Sequence, residues 1–410
     1  MTRYELAEYG RAEGLDLDRD DALALSQTRA VRVTPSLTAV GRFDVTAAQF
    51  VGVVRSRGCE LWVRPKLPVS RLLFLLGYAN DSRGWHDDDP AFQEADNLVE
   101  ALVRAFIRHA ERALARGLLQ GYQSVEDAQP AIRGRVREAD QLRRRFGLPL
   151  PVEVRYDDYT TDIDENRLLR AAARRLLRVP GVAPDTTRRL RRLLALTRDV
   201  TDPPLMMPGP PIRRTRLNRR YFPAVRLAEL ALRAHSPEFA TGTGQGIGFL
   251  FDMNRVFEDF VTAELGAALE RHGGQVRPQL DQALDQAERL TITPDLSWWS
   301  QGRCRAVIDI KYKSLADHAP PQPDIYQMLA YCTALRLAEG HLVYAHGEAA
   351  PVTYVVGEAG THIVVSTVDL RQPPGPLLAE LGRLADRIAC RAAGLHHVTP
   401  SLGAPFAGRP

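Results

Sequence analysis

Apolar positions in the first part of the chain alternate with polar ones at a strand-like period, which predicts a small β-rich module between residues 30 and 65. Pro35, Gly41 and Gly58 break this stretch into short runs. The strands are expected at Val31 and Val33, Leu37 to Val40, Ala47 to Val54, and Leu61 to Val63. The leucine-rich run up to Tyr78 predicts a helix that Ser70 caps and that packs on those strands.

The middle of the chain predicts helices, because its apolar residues recur at helical spacing. A long amphipathic helix is expected from Leu98 to Leu114, and two more over Asn166–Arg178 and Thr187–Thr197. A proline-rich stretch from Asp202 to Pro211 predicts a stiff break. The glycine-rich run 242–248 lacks a preceding strand and a following Gly-Lys-Ser/Thr, so we interpret it as a flexible joint rather than a nucleotide loop.

The last part of the chain predicts an alternation of helices and strands. A first helix carries an apolar stripe from Met253 to Leu265, and strands are expected at Gln275–Arg277, Arg289–Asp295 and Cys304–Tyr312. A second helix, Asp324 to Ala338, precedes a strand that begins at His341, and more strands and a closing helix follow. The order is typical of an α/β domain built on a central mixed sheet.

Taken together, these elements predict an α+β multidomain protein. We expect a β-rich N-terminal module over residues 1–90, a helical, Arg-rich middle region over 91–240 and an α/β domain over 245–400. A length of 410 residues accommodates three such domains.

Composition excludes several classes of protein. At 45% hydrophobic and 25% charged residues the chain is globular, and no run of about twenty apolar residues exists that could cross a membrane. The four cysteines lie far apart without a C-x-x-C pair, which argues against a zinc ribbon or a disulfide framework. We therefore expect a cytoplasmic protein without a membrane partner.

The charges are unevenly distributed. Only three of the 54 basic residues are lysines, namely Lys66, Lys311 and Lys313, and a lysine kept in so arginine-rich a chain favours a specific role. Residues 167–220 contain 15 arginines against three aspartates. Such a segment suits a phosphate backbone or an acidic protein face, although a solvated helical face explains it equally well.

One acidic tract, 84–90, contains a histidine and three aspartates that could bind a metal. Consecutive carboxylates before a proline are more typical of a loop that leads into a helix, and we favour the loop.

The strongest candidate site lies in the last domain, where Pro294-Asp295 precedes Asp309-Ile310-Lys311. Side chains two apart on a strand share a face, so Asp309 and Lys311 should point together, with Lys313 about 7 Å further along. A carboxylate from the neighbouring strand, Asp295, can meet Asp309 and provide the oxygen ligands of a hard divalent cation. The Lys311 ammonium could then orient a water or offset charge on a phosphoryl oxygen.

Three further side chains support this site. Gln327 and Tyr331 are four apart on the following helix and share a face, where they could contact a nucleic-acid backbone or orient the lysine. Glu258 on the opening helix is a candidate third carboxylate. Alternating charges also occur on exposed strands, but this strand is otherwise apolar, and buried Asp and Lys need a partner or a function.

At this point the sequence resembles the PD-(D/E)xK nuclease superfamily, in the variant with a Gln-x-x-x-Tyr helix that RecB-type nucleases share. The resemblance implies that Asp295, Asp309 and Glu258 bind Mg²⁺, with Mn²⁺ as a substitute, and that Lys311 is the catalytic lysine. It also assigns Gln327 and Tyr331 to the catalytic set. Trp298 and Trp299, which follow the Pro-Asp pair, could stack on bases, although we favour packing at the sheet edge.

The resemblance extends over most of the chain to the McrC family, the nuclease subunit of McrBC-type systems that restrict DNA with modified cytosines. It rests on segments that precede Phe257-Glu258, namely Val51-Gly52-Val53-Val54, Arg64-Pro65-Lys66, Leu72 to Tyr78, Arg133-Gly134-Arg135 and Asp164-Glu165-Asn166-Arg167. It implies an endonuclease for double-stranded DNA, recruited to a GTP-hydrolysing AAA+ ring of McrB type, with the N-terminal half docking on the ring and stimulating hydrolysis. The absence of a Walker A motif in this sequence agrees with that division of labour.

Two other functions stay open at the level of the sequence. One is a stand-alone RecB-like nuclease in repair or mobile-element biology, which would cut DNA without a partner. The other is a ring-binding activator that does not cut, against which the intact Asp295, Asp309 and Lys311 argue.

Overall fold

The computed structural model describes residues 1–78, 97–146, 148–202, 212, 214–234, 239–241, 244–285, 287–313, 315, 320–345, 351–358 and 360–394. The chain divides into two compact units, Met1–Asp252 and Met253–Pro410. The acidic tract 84–90, the prolines from 203 to 211, and residues 242 and 243 of the glycine-rich run lie outside the described residues.

The first unit begins with two sheets that share one apolar core. A five-stranded sheet has the order β1-β6-β5-β11-β10, and a three-stranded sheet has the order β2-β4-β3. Their buried side chains, among them Leu25, Val45 and Leu61, form one cluster. The strands are β1 (Thr2–Ala7), β2 (Arg11–Leu15), β3 (Val31–Pro35), β4 (Phe43–Ala47), β5 (Phe50–Arg55), β6 (Cys59–Arg64), β10 (Phe239–Thr241) and β11 (Gly244–Asp252). Helix α1 (Arg19–Gln27) packs on β3.

The β-rich start of the chain is therefore confirmed, with two corrections. The strand expected at Leu37–Val40 is wrong, because these residues form bends and a turn between β3 and β4, with Leu37 and Val40 fully exposed. The interpretation of the glycine-rich run as a flexible joint is also wrong for its described part. Gly244 to Gly248 belong to β11, which pairs antiparallel with β5 through Ile247 and Arg55.

A group of helices follows in the same unit. They are α2 (Val69–Tyr78), α3 (Leu98–Leu114), α5 (Asp164–Leu176), α6 (Pro184–Leu196) and α7 (Phe222–Arg233). The three helices predicted in the middle region are confirmed within a few residues at their ends. Helix α2 begins one residue before Ser70, and its main neighbours are α3 and α7 rather than the strands on which it was expected to pack.

The middle region is not entirely helical, which corrects the sequence-based expectation. A third sheet of order β7-β9-β8 consists of β7 (Gly121–Gln129), β8 (Arg135–Val136) and β9 (Val152–Thr160), with α4 (Glu138–Arg145) beside β9. Strand β7 is largely polar on both faces and lacks the apolar alternation by which strands are recognised. Strand β9 does alternate, with Val152, Val154 and Tyr156 between polar residues, and the sequence-based expectation missed this signal. The exposed large apolar side chains of this region include Leu142, Phe146, Leu148 and Leu150.

The arginine excess of residues 167–220 is partly neutralised inside the first unit. Among the described residues, six of these arginines form ion pairs: Arg167 with Asp162, Arg170 and Arg174 with Asp202, Arg188 with Asp185, Arg189 with Glu111, and Arg198 with Asp199. These ion pairs favour the interpretation of this segment as a solvated helical face rather than a phosphate-binding surface, because each paired guanidinium already interacts with a carboxylate.

The second unit is a six-stranded mixed sheet with helices against it. Its order is β12-β15-β16-β17-β19-β18, with parallel pairing between β16, β17 and β19 and antiparallel pairing elsewhere. The strands are β12 (Gln275–Pro278), β15 (Leu296–Ser300), β16 (Arg303–Lys311), β17 (Glu339–Ala345), β18 (Val352–Val356) and β19 (Thr361–Val368), and β13 (Gln282–Ala283) pairs separately with β14 (Thr291–Ile292). The predicted central mixed sheet is thus present.

Helix α9 (Gln322–Leu335) packs on β16, β17 and β19 through Met328, Tyr331 and Cys332. The other two helices of the second unit, α8 (Met253–Glu270) and α10 (Pro374–Ala392), pack against each other and on β16. Among the described residues, no helix is long and apolar enough to span a membrane.

Candidate active site

Two strands bring Asp295 and Asp309 together. Strand β15 runs antiparallel to β16 and pairs Leu296 with Ile308, so the preceding residue, Asp295, is level with Asp309. The Ile310 backbone N–H donates a 2.6 Å hydrogen bond to Asp295 Oδ2 and thereby fixes this carboxylate. The two acids meet as the sequence predicted.

The strand expected at Arg289–Asp295 is wrong, however. Only Thr291–Ile292 forms a short strand, and Asp295 lies in a bend just before β15. Pro294 explains the difference, because a proline has no N–H with which to continue a strand ladder. Asp295 therefore enters the site from a segment that other residues must hold in place.

Lys311 completes a compact group with Asp309. Its Nζ lies 2.7 Å from Asp309 Oδ2, so the two side chains leave β16 on the same face, as strand alternation predicted. Asp309 is 1% exposed, and its other oxygen, Oδ1, accepts no hydrogen bond from any residue that the structure describes. A buried carboxylate oxygen without a donor suits a ligand that carries positive charge.

The electrostatics of the group favour an additional cation. Burial and the nearby Asp309 raise the pKa of Asp295 to about 7. Burial also raises the pKa of Asp309, against the opposing effect of Lys311. Burial lowers the pKa of Lys311, but Asp309 and Asp295 outweigh it and raise that pKa overall. Two adjacent carboxylates and one ammonium leave the site with a negative excess when all three are ionised.

Glu258 lies at the edge of this group. Gln279 Nε2 donates a 2.7 Å hydrogen bond to Glu258 Oε1, and burial raises the pKa of this glutamate, to which Asp309 adds. Within the described part of the chain, no three His, Cys, Asp or Glu side chains are grouped closely enough to hold a metal ion. Glu258 as a third ligand therefore stays a prediction.

Gln327 and Tyr331 of α9 hold the segment that leads to Asp295. The Gln327 side-chain amide donates a 2.7 Å hydrogen bond to the Tyr331 hydroxyl, which in turn donates to the Thr293 carbonyl at 3.2 Å. Tyr331 is buried, and burial raises its pKa to about 12, so the hydroxyl keeps its proton. Within the described residues their hydrogen bonds go to each other and to Thr293, not to Lys311, so orientation of the lysine, one of the two roles suggested by the sequence, is not a direct contact.

The sequence did not single out Asp324, although the structure places it beside this group. Its carboxylate accepts hydrogen bonds from the Tyr344 hydroxyl at 2.7 Å and from Lys313 Nζ at 3.1 and 3.2 Å. Asp324 precedes Gln327 by three residues and Tyr331 by seven, which places all three on one helix face. That spacing is the signal by which the sequence could have identified it.

The expected position of Lys313 on the strand is wrong. Strand β16 ends at Lys311, and the Lys313 backbone N–H turns back to the Lys311 carbonyl at 2.8 Å. Its side chain therefore reaches the start of α9 instead of continuing along the strand.

The two tryptophans pack against the sheet edge, as favoured from the sequence. Trp298 is buried and its indole N–H donates to the Gly273 carbonyl at 2.8 Å. Trp299 donates to Ser297 Oγ at 2.9 Å, and the Arg277 guanidinium lies 5.3 Å from its ring centroid.

Comparison with known proteins assigns the chain to a family. The profile of the McrBC 5-methylcytosine restriction system component matches residues 45–345, which is well over half of the chain. The chain belongs to the McrBC family. The resemblance inferred from its motifs is confirmed at this level.

Solved McrBC structures resemble this chain. One chain of an assembly of Thermococcus gammatolerans McrB AAA+ hexamers with bound McrC superposes with a TM-score of 0.57 at 18% identity, covering 94% of this chain and all of the other. A structure of the T. gammatolerans McrBC complex matches with a TM-score of 0.40 and 21% identity, over 65% of this chain and 88% of the other. The first likeness supports a shared fold. No curated protein matches the sequence.

Some of the segments on which the resemblance was based make contacts within the first unit. Arg133 pairs with Asp158 at 2.7 Å and stacks 4.0 Å from the Tyr156 ring centroid. Arg167 makes two 2.9 Å hydrogen bonds to Asp162. The fully buried Asn166 amide donates to the carbonyls of Leu119 and Thr161 at 2.8 and 2.7 Å. These residues fix the connection between β9 and α5.

Proposed function

We propose that this chain is the DNA endonuclease subunit of a modification-dependent McrBC restriction system, which hydrolyses phosphodiester bonds of double-stranded DNA with Mg²⁺ or Mn²⁺. The observation that carries the proposal is the pairing of the half-buried Asp295 with the buried Asp309, with the Lys311 ammonium 2.7 Å from Asp309. Membership of a 5-methylcytosine restriction family supports DNA as the substrate.

The side chains present fit a hard divalent cation. Mg²⁺ is commonly bound by one or two carboxylates and retains several waters, which agrees with a pair of acids rather than a complete protein cage. Asp295 and Asp309 would hold it, and the buried Asp309 Oδ1 offers an oxygen without a hydrogen-bond donor among the described residues. When bound, such an ion lowers the pKa of water and offsets charge on a phosphoryl oxygen.

The other residues keep these groups in place. The Ile310 N–H orients Asp295, while Tyr331 and Gln327 secure the carbonyl of Thr293 two residues before it. Lys311 is pre-oriented by Asp309, so its ammonium can bind a phosphate oxygen or align the attacking water without further rearrangement. These residues would therefore act by positioning the phosphodiester substrate and by stabilising the charge that develops on it.

The proposed partner is a GTP-hydrolysing AAA+ ring of McrB type. The solved assembly that shares the fold consists of McrB AAA+ hexamers with bound McrC. This sequence has no Walker A motif of its own, so a partner must supply nucleotide hydrolysis. We assign docking on the ring and stimulation of its turnover to the first unit.

The test compares the full chain with its Asp309→Asn variant, each mixed with the AAA+ partner, GTP, Mg²⁺ and plasmid DNA with or without modified cytosine. We expect Asp309→Asn to abolish cutting while stimulation of GTP hydrolysis persists, because the substitution is confined to the carboxylate pair. Asp386→Asn is the matched control, since Asp386 is exposed and contacts only His272 among the interactions described.

Three outcomes would contradict parts of the proposal. Undiminished cutting by Asp309→Asn would refute the site. Efficient cutting of unmodified DNA by the chain alone would favour a stand-alone RecB-like nuclease. Stimulation of the ring with no cutting by the unaltered chain would identify a non-cutting activator.

A further inference from the structure

A buried carboxylate joins three elements at the end of β16. Asp324, in the first turn of α9, is 5% exposed and binds the Lys313 ammonium with both oxygens, at 3.1 and 3.2 Å. One of these oxygens also accepts a 2.7 Å hydrogen bond from the hydroxyl of Tyr344, which is fully buried on β17. The carboxylate therefore connects the segment after β16 to α9 and to β17.

This network borders Lys311 on two sides. The register of the parallel pair β16 and β17 sets Lys311 directly beside Tyr344. On the other side, the Lys313 N–H donates to the Lys311 carbonyl at 2.8 Å. Lys311 is the last residue of its strand, so the contacts of its neighbours limit where its backbone can go.

Asp324 also acts electrostatically on this lysine. Burial lowers the pKa of Lys311, whereas Asp309, Asp295 and Asp324 raise it. The carboxylate of Asp324 thus lies within electrostatic reach of the Lys311 ammonium while its own hydrogen bonds go to Lys313 and Tyr344.

We propose that Asp324 is a positioning residue, which ties the end of β16 to α9 and β17 through Lys313 and Tyr344 and so keeps the Lys311 ammonium directed at Asp309. The inference rests on the proposed function, because it gives Lys311 a reaction to serve. Lys313 is the tether. Its long, flexible side chain is half exposed and carries the ammonium from the end of β16 to Asp324.

The test uses the full chain with its AAA+ partner and measures the single-turnover rate of cutting, the DNA concentration for half-maximal rate, and the thermal midpoint. We expect Asp324→Asn to lower the rate about tenfold or more. The DNA concentration for half-maximal rate should change little, because the side chains that contact the DNA are unaltered. Lys313→Arg keeps the ion pair and should behave like the unaltered chain. Tyr344→Phe removes one hydrogen bond only and should give a smaller loss of rate.

A double variant separates positioning from stability. Lys313→Met leaves the buried Asp324 carboxylate without its cation and should lower the thermal midpoint. Adding Asp324→Asn should restore that midpoint, because the unpaired carboxylate charge is then removed. The tether is still absent, so the rate should stay low. Recovery of both quantities in the double variant would mean that Asp324 only stabilises the fold, and would overturn the proposal.

The three lysines of the chain allow a direct readout that needs no cutting. Selective isotope labelling of lysine gives signals for Lys66, Lys311 and Lys313 alone. In Asp324→Asn we expect the side-chain signals of Lys311 and Lys313 to move and that of Lys66 to stay. Movement of Lys313 alone would overturn the proposal, whereas absence of cutting by the unaltered chain with normal lysine shifts would contradict the proposed function and not the tether.

Discussion

Each lysine of this arginine-rich chain makes a specific contact. Lys66 lies 5.0 Å from the ring centroid of Tyr9, Lys311 pairs with Asp309, and Lys313 pairs with Asp324. A compact ammonium fits the place of Lys311 beside the buried Asp309, whereas a planar guanidinium needs room for its fork. The scarcity of lysine in the sequence was therefore informative about where specific contacts occur.

The first prediction at this scale concerns Lys311. Lys311→Arg should lower cutting about a hundredfold or more, because the larger fork cannot keep the 2.7 Å contact with Asp309 and the same position near the substrate. Cutting rates and DNA binding of this variant provide the measurement. Arg255→Lys, on an exposed position of α8, is the control and should leave both quantities unchanged. Full activity of Lys311→Arg would exclude a specific role for the ammonium.

A second prediction concerns pH. His341 is buried on β17, and burial lowers its pKa to about 4, below the ordinary value of 6.5. His341 therefore takes up a proton more easily in the unfolded chain than in the folded one. Its contribution to the free energy of unfolding is complete above about pH 6.5 and is lost as the pH falls towards 4. At pH 5 this single group should cost about 2 kcal/mol.

Urea unfolding at pH 7.5 and pH 5 checks this expectation. His341→Gln should reduce the difference in unfolding free energy between the two pH values, and His362→Gln, at a half-exposed position of β19, should not. An equal pH effect in all three proteins would show that the acid sensitivity arises elsewhere.

At the scale of elements, the pairing of β5 with β11 depends on one glycine. Gly52 has a φ of +135°, and a Cβ at this position would lie 2.1 Å from the Phe249 carbonyl oxygen of the neighbouring strand. This close approach gives a physical reason for a glycine within the Val51-Gly52-Val53-Val54 segment.

We predict that Gly52→Ala destabilises the first unit by about 2 kcal/mol or more, since it combines an unfavourable backbone conformation with a clash against a strand. Gly41→Ala is the control, because Gly41 has a φ of +76° and an added methyl group would have no atom within 4 Å, so this change should cost about 1 kcal/mol. Denaturant unfolding of both variants provides the measurement. Equal losses would show that the clash is relieved by movement of β11.

Local patterns explain which elements the sequence predicts well. The amphipathic helix α3 and the strand β16 follow their apolar periodicity closely. Strand β7 could not be recognised, because polar side chains occupy both of its faces, whereas the alternation of Val152, Val154 and Tyr156 in β9 was a signal that was missed. Strand β11 could not be recognised because its pairing with β5 joins residues nearly two hundred apart in the sequence.

Part of the candidate site could likewise be predicted from local sequence patterns, and part could not. Asp309 and Lys311 lie on one strand and followed from its alternation, whereas the contacts of Asp324 and Lys313 depend on where the chain turns after β16. Tertiary contacts of this kind have no local signature in a single sequence. The roles in catalysis of all six candidate residues stay predictions, namely Asp295, Asp309, Lys311, Glu258, Gln327 and Tyr331.

At the scale of the whole molecule, the end of the first compact unit determines which fragment can be made. Strand β11 extends to Asp252 and pairs with β5, so a fragment that stops at residue 240 lacks a strand of the five-stranded sheet. We predict that residues 1–252 unfold cooperatively and stimulate the AAA+ partner, whereas residues 1–240 are markedly less stable. Thermal unfolding and the GTP turnover of the ring measure the difference. Equal stability of the two fragments would show that β11 is dispensable.

The exposed apolar side chains beside the third sheet bear on how much of this protein a cell can safely make. Leu142, Phe146, Leu148 and Leu150 form no part of the core, and uncovered groups of this size promote self-association at high concentration. We expect the chain to precipitate when it is produced in excess and to stay dispersed when the proposed AAA+ ring is produced with it and covers these side chains. Its supply would then have to follow that of the ring, as it would if both were translated from one message.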